Sequence, residues 1–352
     1  MFHRRLLQTS CARIIAVHLL TGSVCASADE SPAAPPLEEI VVAGEFAGPG
    51  MWQVTRPDAA GDHVLWIIGE PPPLPKRLSW RSRPVEAVVM RSQEVLRDAS
   101  VTMQPDEKIG VFRGLSMIPS ALKARKNPGD AELEDLLPPD VYARWLVQKK
   151  RFLGRDSGIE EWRPLFAADK LRKAAYRELD LRDSGMVWDA VEKLVKSLVR
   201  KNGIRITQPK LEFKFKASEI KGKIKEFQHE SLPDVACLDA SIALTEALSD
   251  RATVEARARA WATADLAGLV ALPPLPNVGI PCIAAVMSST MAKEIIPADI
   301  REQVYQLWIS EAERALAANQ TTVAIVPLDK LLKGEGYLER LEAKGYRVVS
   351  PR

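Results

Sequence analysis

Histidine and cysteine are scarce in this sequence. Each occurs four times in 352 residues, and two of each lie within the first 28 residues. If those 28 residues are removed after export, His63 and His229 are the only imidazoles left. The hydroxyl run Ser288–Thr290 then has no plausible histidine partner, which argues against a hydrolase built on Ser, His and Asp.

Several catalytic motifs are also missing. The sequence contains no Gly-x-Ser-x-Gly elbow, no phosphate-binding glycine loop and no Cys-x-x-Cys pair. Its formal charge is only +3, and the first 28 residues carry three arginines and no acid, so the remainder is neutral overall. This balance favours no nucleic-acid partner. No later segment is long and apolar enough to be a transmembrane segment.

The N-terminus has the three regions of a secretory signal peptide. Arg4, Arg5 and Arg13 are basic, Ile14–Val24 is apolar, and a small-residue cleavage site ends at Ala28. We therefore expect a periplasmic or secreted protein that is cleaved after Ala28. The predicted segments are a signal peptide at 1–28, a flexible leader at 29–50 and one domain at 51–352.

Two cysteines remain after cleavage, Cys237 and Cys282. In an oxidising compartment a leftover pair indicates one disulfide bond. We expect this bond to be structural rather than catalytic.

The stretch from Met51 to Pro75 organises the domain. Met51–Val54 and His63–Ile68 read as two strands, and 58–62 reads as the hairpin turn between them. The second run is almost continuously apolar, as is typical of a strand buried on both faces. It ends at Gly69, before a proline-rich turn that begins at Glu70. The end of such a strand is where α/β proteins usually place a site.

The rest of the chain alternates between helical patterns and short β-branched runs. Ser82–Leu96 is predicted as a helix, and strands are predicted near Ile204, Thr322 and Tyr346. The predicted fold is α/β (α+β), a small mixed β-sheet formed by N- and C-terminal strands and covered by a largely helical middle.

One strong charge cluster occurs, from Lys196 to Lys225, with ten basic residues and two acidic ones. It can be interpreted as a patch for a polyanion such as lipopolysaccharide or acidic exopolysaccharide. The alternative is a solvated strand in which Leu211, Phe213 and Phe215 share one face. We favour the strand.

Several short motifs resemble the TraB/GumN family, which includes TIKI-type proteases. The resemblance spans 51–352, and its most specific parts lie at the two ends of that range. The matching segments are the opening hairpin that ends at Gly69, Ala260-Trp261 with Asp265, Gly334–Leu338 and Ala343–Val348.

The resemblance implies a metal centre whose histidine positions this chain has lost. Family members have Gly-x-x-His after the hairpin, and Pro72 stands in that histidine position. A second motif ends in Gly-His-Leu, and there Val326–Leu331 places Lys330 at the histidine, with Pro327 in place of a glycine. Proline offers no ligand atom, and an ammonium repels a divalent metal unless it is deprotonated. We therefore predict no histidine-based metal site and no cofactor.

Two functions fit this pattern. One is a catalytically silent cleft that binds an envelope peptide, glycan or protein. The other is a metal-dependent peptidase or hydrolase with a carboxylate-based site for a divalent metal such as Mg²⁺ or Ca²⁺. The catalytic candidates for the second are Glu70, Asp98, Glu212 and Asp329. The predicted binding cleft consists of Gly69, Glu70, Pro72, Pro327, Asp329 and Lys330.

Overall fold

The computed structural model describes residues 48–56, 63–332 and 334–351. The predicted signal peptide, nearly all of the predicted leader and the predicted turn at 58–62 lie outside these residues. Within the described part, no helix is long and apolar enough to cross a membrane.

Ten strands are formed by the described residues. They are β1 Met51–Thr55, β2 Val64–Glu70, β3 Leu74–Pro75, β4 Glu94–Arg97, β5 Ser100–Pro105, β6 Leu181–Arg182, β7 Arg205–Thr207, β8 Lys210–Phe215, β9 Thr321–Pro327 and β10 Arg347–Val349.

Fifteen α-helices accompany these strands in the described residues. They are α1 Arg83–Arg91, α2 Val111–Ala124, α3 Leu133–Leu136, α4 Pro139–Phe152, α5 Pro164–Glu178, α6 Met186–Asn202, α7 Ile220–His229, α8 Val235–Leu248, α9 Arg251–Ala262, α10 Leu266–Ala271, α11 Gly279–Met287, α12 Thr290–Ile295, α13 Ile300–Ala318, α14 Asp329–Leu332 and α15 Tyr337–Ala343.

The main sheet has six strands in the order β10-β1-β2-β9-β4-β7. β1 is antiparallel to both of its neighbours, whereas β2, β9, β4 and β7 run parallel to one another. The prediction of one mixed sheet that joins the two ends of the domain is confirmed. β2 and β9 lie side by side at the centre because both are apolar on both faces, as buried parallel strands are.

The predicted helix Ser82–Leu96 is wrong in its second half. The helix ends at Arg91, and Glu94–Arg97 forms strand β4 between β9 and β7. The apolar spacing of Val85, Val88 and Val89 is helical, and these three side chains are buried. Leu96 matched that spacing by chance, because pairing with β9 decides its conformation.

Helices cover the sheet and supply most of the remaining core. α13 packs on β2 and β9, and α1 packs on β9 and on α6. The side chains buried between these elements include Trp52, Ile67, Val89, Trp308 and Leu316. A second cluster lies among α3, α4, α5 and α8 around the fully buried Trp145.

Cys237 on α8 and Cys282 on α11 are at disulfide-bonding distance, with their Cα atoms 4.5 Å apart. The predicted pairing is therefore supported by the fold. It links two packed helices that are separated by 45 residues in the chain.

Where the parallel strands begin, a buried carboxylate joins three elements. Glu94, the first residue of β4, is fully buried. Its Oε2 accepts hydrogen bonds from Arg205 (3.0 Å) and Asn319 (2.8 Å), and its Oε1 accepts from Thr207 and Arg314. We call these five residues the N-terminal edge.

Two shorter sheets complete the described strands. β3 pairs with β6, and β5 pairs in parallel with β8. Exposure alternates along β8, with Leu211, Phe213 and Phe215 half-buried and Lys210, Glu212 and Lys214 exposed. The preferred interpretation of this basic segment, a strand with one apolar face, agrees with that alternation.

Candidate functional site

The parallel strands of the main sheet end close together. Glu70 at the end of β2 lies opposite Pro327 at the end of β9, and the backbone N–H of Leu328 donates to the Glu70 carbonyl at 2.8 Å. β4, on the other side of β9, ends at Arg97. The ends of parallel strands are a common position for binding sites.

Gly69 is required by the close approach of these two segments. A Cβ at this position would lie only 2.4 Å from Leu328 Cδ1 and 3.1 Å from Leu328 Cβ. The Gly69 carbonyl also accepts a hydrogen bond from Trp261 Nε1 at 3.1 Å. A side chain here would push β2 and the turn after β9 apart.

Glu70 turns its carboxylate toward the first turn of α6. Its Oε1 accepts a hydrogen bond from the backbone N–H of Val187 at 3.0 Å. Burial raises the pKa of Glu70, and Asp189 adds to that rise, although backbone N–H groups at the start of α6 act in the opposite direction. Glu70 is thus held by a helix N-terminus, where a negative charge is favoured.

Asp98, the residue after β4, accepts hydrogen bonds on both of its oxygens. Lys330 Nζ lies 2.7 Å from Oδ2, and the Tyr337 hydroxyl lies 2.7 Å from Oδ1. Lys330 Nζ is also 3.4 Å from the Tyr337 oxygen. Tyr337 is fully buried and stacks on Trp308 with ring centroids 3.9 Å apart. Burial, followed by the nearby charge of Asp98, raises the pKa of Tyr337.

Arg97 directly precedes Asp98 in the chain and lies against Trp188. The Arg97 guanidinium lies 4.1 Å from the centre of the Trp188 ring, in the first turn of α6. Such a cation–π contact orients an arginine without neutralising it. We call Glu70, Arg97, Asp98, Lys330 and Tyr337 the C-terminal edge.

The four candidate catalytic carboxylates lie in different parts of the structure. Glu70 and Asp98 belong to the C-terminal edge, and Asp329 begins α14 just after β9. Glu212 is exposed on β8, in the separate two-stranded sheet. Among the described residues, no group of three or more His, Cys, Asp or Glu side chains is arranged to hold a metal ion.

The family resemblance implies metal ligands at two positions, and the side chains found there do not suit a metal. Pro72 follows the end of β2 by two residues and has no donor atom. Lys330 places an ammonium against Asp98, a carboxylate that a metal ion at this position would need. A divalent ion there would have to displace a charge-assisted hydrogen bond and face the released ammonium.

The sequence did not identify Arg97 and Tyr337 as parts of this edge, or Trp188 as the contact of Arg97. Tyr337 lies inside the segment Gly334–Leu338 that carried the resemblance, so its position was a usable signal. Arg97 directly precedes Asp98, but the error in the helix Ser82–Leu96 concealed that Arg97 ends a strand and that Asp98 follows it.

The basic segment 196–225 is partly neutralised by its own surroundings. Lys196 pairs with Glu192, Lys216 with Glu219, and Lys223 with Glu294, while Arg205 binds the buried Glu94. Four of the ten basic residues in this segment therefore have acidic partners.

The comparison with known families agrees with this architecture. The model of the TraB/PrgY/gumN family matches residues 50–350, which is nearly all of the described chain. The chain therefore belongs to the TraB/PrgY/gumN family. No curated protein and no solved structure matches the sequence.

Proposed function

We propose that this chain is an exported member of the TraB/PrgY/gumN family that binds an envelope peptide, glycan or protein at the C-terminal edge and has no metal-dependent hydrolytic activity. The observation that carries the proposal is the 2.7 Å contact between Lys330 Nζ and Asp98 Oδ2. It places an ammonium group where the family resemblance puts a metal ligand.

The arrangement suits binding better than hydrolysis for a second reason. A hydrolytic metal needs converging ligands and an open coordination position for water. Here Glu70 is engaged with α6, and Asp98 with Lys330 and Tyr337. Arg97, oriented by Trp188, is the side chain of this edge that is best placed to contact an anionic or polar group of a ligand.

Export is supported by the order of basic, apolar and small residues at the N-terminus and by the cysteine pair at bonding distance. N-terminal sequencing of the exported protein should begin at Asp29. An intact Met1 end on a protein recovered from the cytosol would contradict this part of the proposal.

The metal part is tested by titration with Zn²⁺, Mn²⁺ and Co²⁺ in a calorimeter, together with peptidase assays in the presence of each ion. The unaltered protein should show neither binding nor metal-stimulated cleavage. The double variant Pro72→His/Lys330→His restores both imidazoles and removes the ammonium, so it should gain metal affinity if the scaffold still brings the two positions together.

The matched control is Pro72→His/Lys150→His. It also adds two imidazoles, but the second one replaces Lys150, which is exposed on α4. Lys330 then remains against Asp98, so this variant should gain no metal affinity. Metal-stimulated cleavage by the unaltered protein, abolished by Glu70→Gln or Asp329→Asn, would overturn the proposal in favour of the carboxylate-based hydrolase.

The binding part is tested with a panel of envelope-derived peptides and glycans, scored by the shift in melting temperature. A genuine ligand of the edge should lose affinity in Arg97→Met but not in Lys150→Met. A ligand whose affinity is the same in both variants binds elsewhere, and the C-terminal edge would then not be the binding cleft.

A further inference from the structure

Strand β5 carries backbone groups that no other described strand uses. It forms a parallel two-stranded sheet with β8, in which Ser100 lies beside Lys210. The backbone N–H of Ser100 donates to the Pro209 carbonyl at 2.9 Å. Just past the strand, the N–H of Asp106 donates to the Phe215 carbonyl, also at 2.9 Å. The even-numbered residues of β5 therefore direct their N–H and C=O groups at β8.

The intervening residues Val101 and Met103 direct their backbone groups to the opposite edge. Successive residues of a strand alternate in this way, and β8 is the partner on one edge only. Within the described part of the chain, no hydrogen bond reaches the N–H or the carbonyl of either residue. We call this edge, formed by Val101 and Met103, the open side of β5. Unpaired groups in such a row are a template for another strand.

The side chains along the open side are apolar. Val101 and Met103 are each 40% exposed. They share one face of the sheet with Leu211 and Phe213, which lie beside them in the register and are half-buried. A strand added at the open side would place alternate side chains against Val101 and Met103. Those side chains would continue a surface that is already apolar.

The other edge of the same sheet is protected against pairing. The residues of β8 that direct their backbone groups away from β5 are Lys210, Glu212 and Lys214, and all three are exposed. Charged side chains along an edge oppose the addition of a strand. β5 contains no charged residue. The contrast between the two edges indicates that the open side of β5 is the one able to accept a partner.

We propose that the open side of β5 binds an extended segment of another polypeptide, which pairs antiparallel with Val101 and Met103 and carries apolar side chains opposite them. In that arrangement each of the two residues exchanges both of its backbone hydrogen bonds with one residue of the partner. Their spacing of ~6.6 Å, two residues at ~3.3 Å each, equals the repeat of another strand. The inference is independent of the proposed function, because it uses none of the residues that form the C-terminal edge.

The length of the open side favours a peptide segment over a second copy of this chain. The next residue that faces outward is Pro105, which has no N–H. Outward donors therefore occur only at Val101 and Met103 within β5. Two folded chains joined through so short a strand pair would bury little of the roughly 1,000 Å² that a stable interface needs. An extended segment can pair with the strand without an interface of that size.

The first experiment measures amide hydrogen exchange of the full chain by NMR, residue by residue. Without a ligand, Val101 and Met103 should exchange faster than Thr102 and Gln104, whose N–H groups face β8. The probe is the peptide Lys-Thr-Val-Thr-Val-Thr-Lys, acetylated and amidated at its ends. At saturation it should slow exchange at Val101 and Met103 by about tenfold or more and leave Thr102 and Gln104 unchanged.

Three outcomes of this experiment would overturn the proposal. One is slow exchange at Val101 and Met103 before any peptide is added, and another is no slowing at a millimolar concentration of the probe. The third is slowing that appears without peptide as the protein concentration rises, because a second copy would then be the occupant.

Two N-methylated forms of the probe test whether backbone pairing is responsible for binding. Methyl groups on both valines remove the N–H groups that face β5 and should weaken binding by about tenfold or more. Methyl groups on two of the threonines remove N–H groups that face away and should leave the affinity nearly unchanged. Replacing both valines by serine keeps the backbone but loses the apolar contacts, so it should weaken binding several-fold. Equal losses from the two methylated forms would contradict the proposal.

Substitutions in the protein locate the binding strand. Met103→Pro removes an outward N–H that the ladder with β8 does not use, and it should weaken binding of the probe by about tenfold. Lys214→Pro removes an outward N–H from the protected edge and should leave binding unchanged. Met103→Lys keeps the N–H but places a charge on the open side, so it replaces the proline variant if that one fails to fold. Met103→Leu should bind normally, and binding that survives both Met103→Pro and Met103→Lys would overturn the proposal.

Discussion

The two ends of strand β4 hold carboxylates in opposite ways. Glu94 at the start of the strand is fully buried and receives hydrogen bonds from four side chains, two of them arginines. Asp98, just past the end, keeps a side chain that is 25% exposed and is held by Lys330 and Tyr337. A span of five residues therefore separates a fully buried carboxylate from one that solvent reaches.

This difference separates a structural role from a binding role. A buried charge with several partners fixes the arrangement of the elements that supply them, and removing it leaves those partners without compensation. A partly exposed pair can exchange its contacts with water or with a ligand at small cost. The N-terminal edge therefore holds β4, β7 and α13 together, whereas the C-terminal edge is the one that we propose for a ligand.

Among the substitutions that test this comparison, Glu94→Ala should have the largest effect on the free energy of unfolding. The substitution removes the acceptor of four hydrogen bonds. At about 0.5–1.5 kcal/mol for each bond, it should lower the free energy of unfolding by about 2–6 kcal/mol. Urea denaturation monitored by circular dichroism measures it. Glu311→Ala is the control, since Glu311 is a more exposed partner of Arg314 on the same helix, and it should cost less than about 1 kcal/mol.

A smaller effect is expected at the other end of β4. Asp98→Ala removes the acceptor of the buried Tyr337 hydroxyl and the partner of Lys330. We expect a loss of about 1–3 kcal/mol, the usual penalty for a buried polar group that is left unsatisfied.

Asp98→Asn keeps an acceptor for the Tyr337 hydroxyl but removes the negative charge. Its comparison with Asp98→Ala separates the contribution of that hydrogen bond from the contribution of the charge. A double-mutant cycle with Lys330→Met isolates the coupling between Lys330 and Asp98. If Asp98→Ala costs as much as Glu94→Ala, the proposed contrast between a buried and an accessible carboxylate is wrong.

The sequence predicted the fold better than the site, and the two edges show why. β2 and β9 were predicted because a continuous apolar run contains its own evidence of burial. β4 was not, because four residues with Val and Leu fit a helix until β9 and β7 pair with them. Local pattern does not contain that tertiary information.

The contacts of the site were even less accessible from sequence. Asp98 was among the candidates because it lies near a strand end, but its partner Lys330 is 232 residues away in the chain. Lys330 itself was identified through the family motif rather than through any pattern of charge. Composition and spacing identify which residues can do chemistry, whereas the sheet register decides which of them meet.

A gain in stability, rather than a loss, is expected from one substitution at Ala264. Ala264 lies two residues past the end of α9 and has a left-handed φ of 59°. The backbone N–H of its neighbour Asp265 donates a hydrogen bond to the Ala260 carbonyl. Ala264→Gly relieves that conformation and should raise the free energy of unfolding by about 1 kcal/mol. Thr263→Gly, at a negative φ, should not be stabilising, and a loss of stability in Ala264→Gly would contradict the reasoning.

The smallest expected effect is the pH dependence of stability, because a change of pH alters only the protonation of these carboxylates. Burial raises the pKa of Glu70 at the C-terminal edge. Burial alone would also raise the pKa of Glu94, but hydrogen bonds from Arg314, Thr207 and Asn319 outweigh it and lower that pKa below its ordinary value. The two carboxylates should therefore affect stability with opposite signs.

The sign follows from which state holds the proton more tightly. The folded state binds the Glu70 proton more tightly than the unfolded state, so this group's contribution falls as pH rises from about 4.3 through the folded pKa. The folded state binds the Glu94 proton less tightly, so its contribution is present above about 4.3 and is lost as pH falls through the folded pKa. Unfolding free energies of the unaltered protein, Glu70→Gln and Glu94→Gln, measured across acidic and neutral pH, give the two difference curves. Slopes of the same sign in the two curves would contradict this prediction, because they would show that folding shifts the pKa values of Glu70 and Glu94 in the same direction.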